Sequence, residues 1–239
     1  MDPTGSPPRD HTIGPRVAPN AEPREPSRRP MKRKNPYKGA DRFTVEAKKA
    51  GYPARSVFKL EEIDQRTRLL RPGQSVLELG ASPGSWALYA AGKVGAKGHL
   101  LAMDLKPLET TLPPQAEFFI GDALSLETEA LSKFFPYDVV LSDMAPNTTG
   151  NRLGDQTRSF ELFMRALGVA EALLKPGGAF VGKIFMGEDF SLAKAAVKRI
   201  FEVERTIRPE GTRTNSYEVF VIGERKRAAK APGAEGASP

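Results

Sequence analysis

The sequence of 239 residues contains no cysteine and only two histidines, His11 and His99. The missing cysteine excludes disulfide bonds, Cys–His zinc sites and a thiol nucleophile. His11 lies in a proline-rich terminal segment and His99 at the start of a predicted strand, which disfavours a Ser–His–Asp hydrolase. No apolar run approaches the roughly 18–20 residues that cross a bilayer, and no apolar signal segment follows Met1. We therefore expect a cytoplasmic protein without membrane contact.

Positive charge exceeds negative charge, with a formal net charge of +7 and an isoelectric point of about 9.6. Such an excess favours a polyanionic partner, chiefly nucleic acid, although a generally basic surface explains the charge as well. Hydrophobic residues make up 39% of the chain. This fraction and the chain length suit one α/β domain with appendages.

Both ends of the chain differ in composition from the middle. Residues 1–38 carry frequent prolines and basic residues with few apolar ones, and such a segment cannot bury enough surface to offset its ordering entropy. We interpret it as a disordered tail, either an arm that contacts phosphates or a solubilising leader. Its prolines disfavour the amphipathic helix of a mitochondrial presequence. Residues 225–239 form a second low-complexity tail, which leaves 39–224 as the folded domain.

Between the tails, strand-like and helix-like segments alternate. The predicted strands cover 75–80, 99–104, 116–122, 137–143, 179–185, 202–209 and 216–224. The predicted helices cover 41–51, 54–70, 85–94, 124–134, 155–174 and 192–201, and 124–134 has the weakest periodicity. Only a loop separates the last two strands, which must therefore be antiparallel. The pattern predicts an α/β fold with a mostly parallel sheet, an antiparallel last strand and helices on both faces.

Polar side chains follow the strands at the edge where such a sheet binds ligands. A glycine turn, Gly80–Gly84, joins the first strand to a helix, and Asp104 and Asp122 end the second and third strands. The turn lacks the G-x-G-x-x-G spacing of a dinucleotide site. Asp104 can accept hydrogen bonds from ribose hydroxyls, and Asp122 from an adenine amino group. Each acid taken alone is better explained as a cap or turn residue. Together they describe an adenosine pocket without a pyrophosphate cradle, which suits S-adenosylmethionine better than NAD.

Four more charged residues are candidates for the site: Lys59, Asp143, Lys183 and Glu218. Asp143 ends the fourth strand within SDMAPN, where Pro146 restricts the loop behind it. Lys183 lies in the apolar fifth strand, where an unpaired lysine is costly unless its ammonium reaches water from the strand tip. Glu218 on a strand that can alternate, and Lys59 on a helix, both have ordinary explanations as surface residues.

The stretch from about Asp41 to Gly223 resembles the FtsJ (RrmJ) family of 2′-O-ribose RNA methyltransferases. SDMAPN after an apolar strand, with FKL upstream and a strand-end lysine downstream, is highly specific for that family. The matching stretches are EAKKAGYPARSVFKLEEID, LELGASPGSW, AMDLKP, GDAL, VLSDMAPNTTG, LKPGGAFVGKIF and SYEVFVI. The resemblance implies a Rossmann-like S-adenosylmethionine-dependent methyltransferase fold. It also implies methylation of a ribose 2′-hydroxyl in RNA, and the members most similar in pattern imply a uridine of the large-subunit ribosomal RNA.

The resemblance further assigns site residues. The implied catalytic residues are Lys59, Asp143, Lys183 and Glu218. The implied S-adenosylmethionine contacts are Gly84, Trp86, Asp104, Asp122 and Asp143, although Trp86 by itself is better explained as a core aromatic. Two residues depart from the family's turn, which usually reads D-L-G-A-A/S-P-G-G-W. Glu78 replaces the aspartate, which leaves its contact with the methionine end open, and Ser85 replaces the last glycine and can open the following helix as a cap.

Methyl transfer to a ribose oxygen requires alignment and the removal of one proton. We expect Lys183 to be the general base, made neutral by burial and by the positive charge of Lys59. Asp143 and Glu218 would orient the two amines, but their charges oppose the loss of the proton, and the sequence does not set the balance. No metal is expected, because the cofactor carries its own leaving group.

Basic residues ahead of and within the first helices are the expected RNA-docking surface, unless they are only solvated charges. They are Lys48, Lys49 and Arg55, with Lys32, Arg33 and Lys34 in the tail. Asn147 and the two threonines after it are explained equally by RNA contact and by turn chemistry. The alternatives to a monomeric ribosomal RNA enzyme are a transfer RNA methyltransferase of the same family and a non-catalytic RNA-binding module. A nucleotide-dependent oxidoreductase is disfavoured, because G-x-G-x-x-G is absent.

Overall fold

A computed structural model describes residues 42–210, 212 and 216–228. The helices are α1 (Arg42–Lys49), α2 (Val57–Thr67), α3 (Ser85–Val94), α4 (Arg152–Leu173) and α5 (Phe190–Ile200). The strands are β1 (Ser75–Leu79), β2 (His99–Asp104), β3 (Ala116–Ile120), β4 (Tyr137–Ser142), β5 (Leu174–Phe185), β6 (Phe201–Ile207) and β7 (Glu218–Lys226). The predicted tail 1–38 and the residues after 228 lie outside the described part, so both tail predictions stay predictions.

The strands form one seven-stranded sheet in the order β3-β2-β1-β4-β5-β7-β6. Strands β1 to β5 pair in parallel, and β7 pairs antiparallel with β5 on one side and with β6 on the other. The predicted fold class, with its antiparallel last strand, is therefore confirmed. The strand order reverses at β1, which lies between β2 and β4. In open parallel sheets such a reversal leaves a crevice beyond the carboxyl ends of the strands, where ligands bind.

Helices cover both faces of the sheet, because successive apolar side chains of a strand point to opposite faces and both faces must be buried. Leu77 and Leu79 of β1 belong to a core cluster with α4 and α5. Val76 of β1 belongs to a second cluster with α1, α2 and α3. Side chains in register with Val76, including Glu78, therefore lie on the face that α1, α2 and α3 cover.

The helix predicted for 124–134 is wrong, since only a 3-10 turn, Thr128–Leu131, forms there. The backbone oxygens that a helix would use are bound by other parts of the chain. Arg165 of α4 donates through Nε to the Ala123 carbonyl (2.6 Å) and through Nη2 to the Leu126 carbonyl. The Tyr137 hydroxyl donates to the carbonyl of Leu131 (2.7 Å). Tertiary contacts thus replace the weak helical preference of this segment.

Strand β7 extends to Lys226, beyond the domain boundary expected at 224. Lys226 pairs with Phe201 in the ladder to β6. Its ammonium donates to the Leu174 carbonyl (2.6 Å) and to the Glu171 carbonyl at the end of α4. Strand β7 thus includes Arg225 and Lys226, the first two residues of the predicted tail.

Candidate active site

The pleat of the sheet brings five charged or acidic residues to one edge and one face. Glu78, Asp104 and Lys183 lie in register with residues of the α1–α3 core cluster on β1, β2 and β5. Asp143 follows β4 in the same register, and its amide continues the ladder to the Leu79 carbonyl (3.2 Å). Glu218 is the first residue of the antiparallel β7 and pairs with Phe185 at the end of β5. All five are therefore carried to the carboxyl edge of the parallel strands.

Two ammonium–carboxylate pairs form at this edge. The Lys183 Nζ lies 2.9 Å from Asp143 Oδ1, but its hydrogen bond goes to the Asp143 carbonyl oxygen (2.5 Å), so the contact with Oδ1 is an ion pair alone. The Lys183 side chain is 7% exposed. Lys59 of α2 pairs with Glu218, and their side chains are 12% and 13% exposed. The structure thus gathers all four residues expected to be catalytic into two nearly buried pairs.

Asp104 holds the glycine turn in place. Its Oδ2 accepts from the Ser82 amide and its Oδ1 from the Lys106 amide, both at 2.9 Å. A carboxylate has about four acceptor positions, so each oxygen can still accept a ribose hydroxyl. Gly80 has φ +81°, and a Cβ there would lie 2.8 Å from the Met144 backbone nitrogen. The turn therefore requires glycine at 80, because the residue after Asp143 passes directly beside it.

Two exposed apolar side chains, Leu105 and Ile120, lie beside the acids that end β2 and β3. Leu105 is 67% exposed and Ile120 62% exposed, and Ile120 is the register partner of Asp104. Asp122 follows, with its Oδ1 accepting from the Leu124 amide (3.0 Å). An apolar surface next to hydrogen-bonding acids suits a flat adenine ring. Neither residue was among the candidates predicted from the sequence, where the signal is an apolar residue within two positions of a strand-end acid.

Glu78 is the buried acid at the centre of the site. It is 0% exposed, and neither carboxylate oxygen has a hydrogen-bond partner among the described residues. Burial, with Asp143 and Asp104 adding negative charge nearby, raises the pKa of Glu78 well above its ordinary value. An orphaned acid in this position fits a positively charged ligand group. The substitution of aspartate by glutamate therefore keeps an acid at this position of β1, on the same face of the sheet as Asp104, Asp143 and Lys183.

The start of the helix that follows the glycine turn differs from the expected serine cap. Gly84, with φ +112°, is the residue before α3, and a Cβ there would lie 2.6 Å from Thr110 Cγ2. Ser85 does not cap α3; it is the first helical residue, and its hydroxyl bonds to the backbone of Ala54. Trp86 is 2% exposed and donates to the Ser56 carbonyl (2.8 Å). This burial favours the interpretation of Trp86 as a core aromatic.

The loop after Asp143 is held by Asp155, which the sequence pattern predicted only as the start of a helix. Asp155 accepts from the Thr149 amide (3.0 Å) and from the Thr149 hydroxyl (3.1 Å), and it pairs with Arg158. The hydrogen bond from the Thr149 amide lowers the pKa of Asp155, and Arg158 adds to the effect. Thr149 therefore follows the turn-chemistry alternative.

Part of the expected RNA surface and one groove lie on α1 and α2. Lys48 and Lys49 are exposed at the end of α1, whereas residues 32–34 fall outside the described part. A groove of about 410 Å³ includes none of the predicted site residues and is lined by Phe43, Glu46, Phe58, Glu61, Glu62, Gln65, Arg66 and Glu210.

Within residues 42–210, 212 and 216–228, no three acidic or histidine side chains converge as a metal site. No helix in that part is long and apolar enough to cross a bilayer.

Comparison with known sequences identifies the class of protein to which this fold and site belong. Residues 52–226 match the FtsJ-like methyltransferase family, and the chain belongs to that family. A relative from Sorangium cellulosum, named ribosomal RNA large subunit methyltransferase E, is 63% identical over 207 residues, which cover 85% of this chain and 98% of the relative. A relative of the same name from Desulfatibacillum aliphaticivorans is 49% identical over 188 residues, covering 78% of this chain and 91% of the relative.

A solved structure shows the same fold. A chain from Plasmodium falciparum, described as a ribosomal RNA methyltransferase, superposes with a TM-score of 0.65 at 22% identity. The match covers 73% of this chain and 98% of that one. At this identity the likeness concerns the fold alone.

Proposed function

We propose that this chain transfers a methyl group from S-adenosylmethionine to a ribose 2′-hydroxyl in large-subunit ribosomal RNA, with a uridine as the target. The observation that carries the proposal is the pair of buried ammonium–carboxylate contacts, Lys183 with Asp143 and Lys59 with Glu218, at the carboxyl edge of one sheet. The family supports methyl transfer, and the names of the relatives support the RNA class.

The residues present fit S-adenosylmethionine as the donor. The unpartnered Glu78 suits the cationic amino-acid end, Asp104 suits the ribose, and Asp122 beside Leu105 and Ile120 suits the adenine. When bound, this cofactor supplies the methyl group on a positively charged sulfur. Asp143 lies between Glu78 and Lys183, because it follows β4, which lies between β1 and β5 in the sheet. Its carboxylate pairs with Lys183, and its charge raises the pKa of Glu78. Asp143 therefore connects the cofactor side of the site with the base.

Lys183 is the proposed general base. A ribose hydroxyl is a poor nucleophile while it keeps its proton, so a neutral amine poised at the oxygen is needed to accept that proton. The Asp143 carbonyl oxygen accepts a hydrogen bond from Lys183 Nζ at 2.5 Å and fixes the direction of this nitrogen. Lys183 must release its own proton to solvent before the chemical step, because only the neutral amine can accept the proton of the ribose hydroxyl. Fixing the amine in this way places it at the strand end, where the substrate oxygen must approach. Such alignment supplies a large part of the rate.

We propose that the second pair, Lys59 with Glu218, orients the target ribose. Lys59 comes from a helix and Glu218 from the antiparallel strand, so the pair joins two elements beside β5. Removing either partner would leave a nearly buried charge without compensation, which is costly. Both residues are therefore expected to be needed together.

The test compares Lys183→Met with Lys175→Met. Lys175 lies at the other end of β5 and also pairs with an aspartate, Asp138, so it controls for the loss of one paired lysine. Methyl incorporation is measured on deproteinised large-subunit RNA, on isolated large subunits and on transfer RNA. Methylated sites are mapped by their resistance to alkaline cleavage, which requires a free 2′-hydroxyl.

Lys183→Met should lower turnover by at least about 100-fold and leave the Kd of S-adenosylmethionine near the wild-type value. Lys175→Met should keep a turnover close to that of the wild type. Near-normal turnover in Lys183→Met would remove this lysine from the role of base. Methylation of transfer RNA alone would correct the substrate. No transfer to any RNA by the wild-type protein would refute the enzyme and favour a non-catalytic RNA-binding module.

A further inference from the structure

Two consecutive residues at the start of α3 hold the loop before α2. Ser85 is 1% exposed, and its hydroxyl accepts from the Ala54 amide (2.8 Å) and donates to the Ala54 carbonyl (3.0 Å). Trp86 Nε1 donates to the Ser56 carbonyl (2.8 Å). Three backbone groups of this loop are thus bound by side chains that come directly after the glycine turn.

The Ser56 carbonyl connects this contact with Lys59. The same oxygen accepts the Lys59 amide (3.1 Å) in the first turn of α2, so Trp86 and Lys59 share one acceptor. The Trp86 ring also packs on Phe220, with ring centroids 5.5 Å apart. Phe220 lies on the same face of β7 as Glu218. Trp86 therefore supports both elements that carry the Lys59–Glu218 pair.

We propose that Ser85 and Trp86 are positioning residues that fix the Lys59–Glu218 pair relative to the glycine turn of the cofactor site. This inference rests on the proposed function, and it assigns the two side chains an effect on methyl transfer through Lys59; a contact of the Trp86 backbone with the cofactor is compatible with it. Ser85 replaces the glycine that the family's turn usually carries. A glycine there could not bind Ala54, whose partly buried amide and carbonyl would lose this partner.

Ser85→Ala and Tyr137→Phe form a matched pair of variants. The Tyr137 hydroxyl, at the start of β4 and away from the site, also accepts from a backbone amide (Phe134, 3.4 Å) and donates to a carbonyl (Leu131, 2.7 Å). Each substitution therefore removes one buried hydroxyl from one amide and one carbonyl. The measurements are kcat at saturating RNA and S-adenosylmethionine, and the Kd of S-adenosylmethionine by calorimetry.

Ser85→Ala should lower kcat by about 10- to 100-fold, because displacement of a positioned group by about 1 Å is enough for such a loss. The Kd should stay within about twofold of wild type, and Tyr137→Phe should keep kcat within about twofold. Ser85→Thr, which restores a hydroxyl, should recover part of the lost kcat. If Ser85→Ala does not fold, Trp86→Phe must show the same pattern, because it keeps an aromatic ring against Phe220 and removes the Nε1 donor.

Three results would overturn the inference. The first is wild-type kcat in Ser85→Ala, or in Trp86→Phe where that variant stands in for it. The second is a Kd that rises by the factor by which kcat falls, which would assign Ser85 to cofactor binding. The third is an equal loss of kcat in Tyr137→Phe, which would make the effect general destabilisation. Absence of transfer by the wild type would instead refute the proposed function on which the inference rests.

Discussion

Replacing Gly80 by alanine should damage the site far more than the same change at Gly73. The two glycines have nearly the same backbone conformation, with φ +81° and +82°, but a Cβ at Gly73 would meet nothing within 4 Å. At Gly80 it would lie 2.8 Å from the Met144 nitrogen and 2.9 Å from its Cα. Backbone atoms cannot rotate away as a side-chain end can. The Met144 backbone must therefore move, and Asp143 with it.

The comparison separates two costs. Both alanines share the left-handed conformation, which costs about 1–2 kcal/mol. Gly80→Ala also displaces Met144. By analogy with an overpacked core, this displacement lowers the free energy of unfolding by a further 1–3 kcal/mol, roughly. Since 1 kcal/mol shifts the melting temperature of a domain of this size by about 2–4 °C, the two variants should differ clearly in urea and thermal unfolding.

Activity should separate the same two variants. Gly80→Ala should lose methyl transfer by about 100-fold, because Asp143 and the Lys183 that it holds would shift. Gly73→Ala lies before β1, at the opposite edge of the sheet, and should keep its turnover. Equal destabilisation of the two variants would refute the close-contact argument. Full activity in Gly80→Ala would refute the claim that the position of Met144 fixes that of Asp143.

Three further predictions concern titration and salt. Because folding raises the pKa of Glu78, the native state holds this proton more tightly than the unfolded chain does. Its contribution to the free energy of unfolding is therefore full at low pH and falls as pH rises through the folded pKa. We expect the free energy of unfolding in urea, measured without ligand, to rise for Glu78→Gln relative to wild type between about pH 5 and about pH 8. A difference between the two proteins that does not change with pH would contradict this. Asp155 has the opposite sign, since its pKa is lowered. Unfolding of Asp155→Asn should show a loss of stability at neutral pH that shrinks in acid as the wild-type carboxylate is protonated, and a constant loss would contradict it. In binding isotherms at several salt concentrations, replacing Lys48 and Lys49 by alanine should reduce the slope of log affinity against log salt by about 1–2; an unchanged slope would place RNA elsewhere.

Elements with strong periodicity could be predicted from the sequence, and those with weak periodicity could not. Strands β1, β2 and β4 begin where their apolar runs predicted, because burial on both faces needs a continuous apolar segment. The helix predicted for 124–134 was wrong because Arg165, distant in the chain, donates hydrogen bonds to carbonyl oxygens that such a helix would use. The exposed Leu105 and Ile120 were missed because apolar residues at strand ends also occur in cores.

The sequence by itself determined the alternation of strands and helices and the set of polar residues at the strand ends. Both follow from local backbone periods, which any stretch of a few residues records. Only the tertiary structure decided which charges pair. Lys59 and Glu218 are 159 positions apart, and they meet because β7 inserts antiparallel between β5 and β6 and so brings its first residue to the carboxyl edge of the parallel strands. Strand order and register depend on how two helical layers pack on the sheet, and no local pattern contains that information.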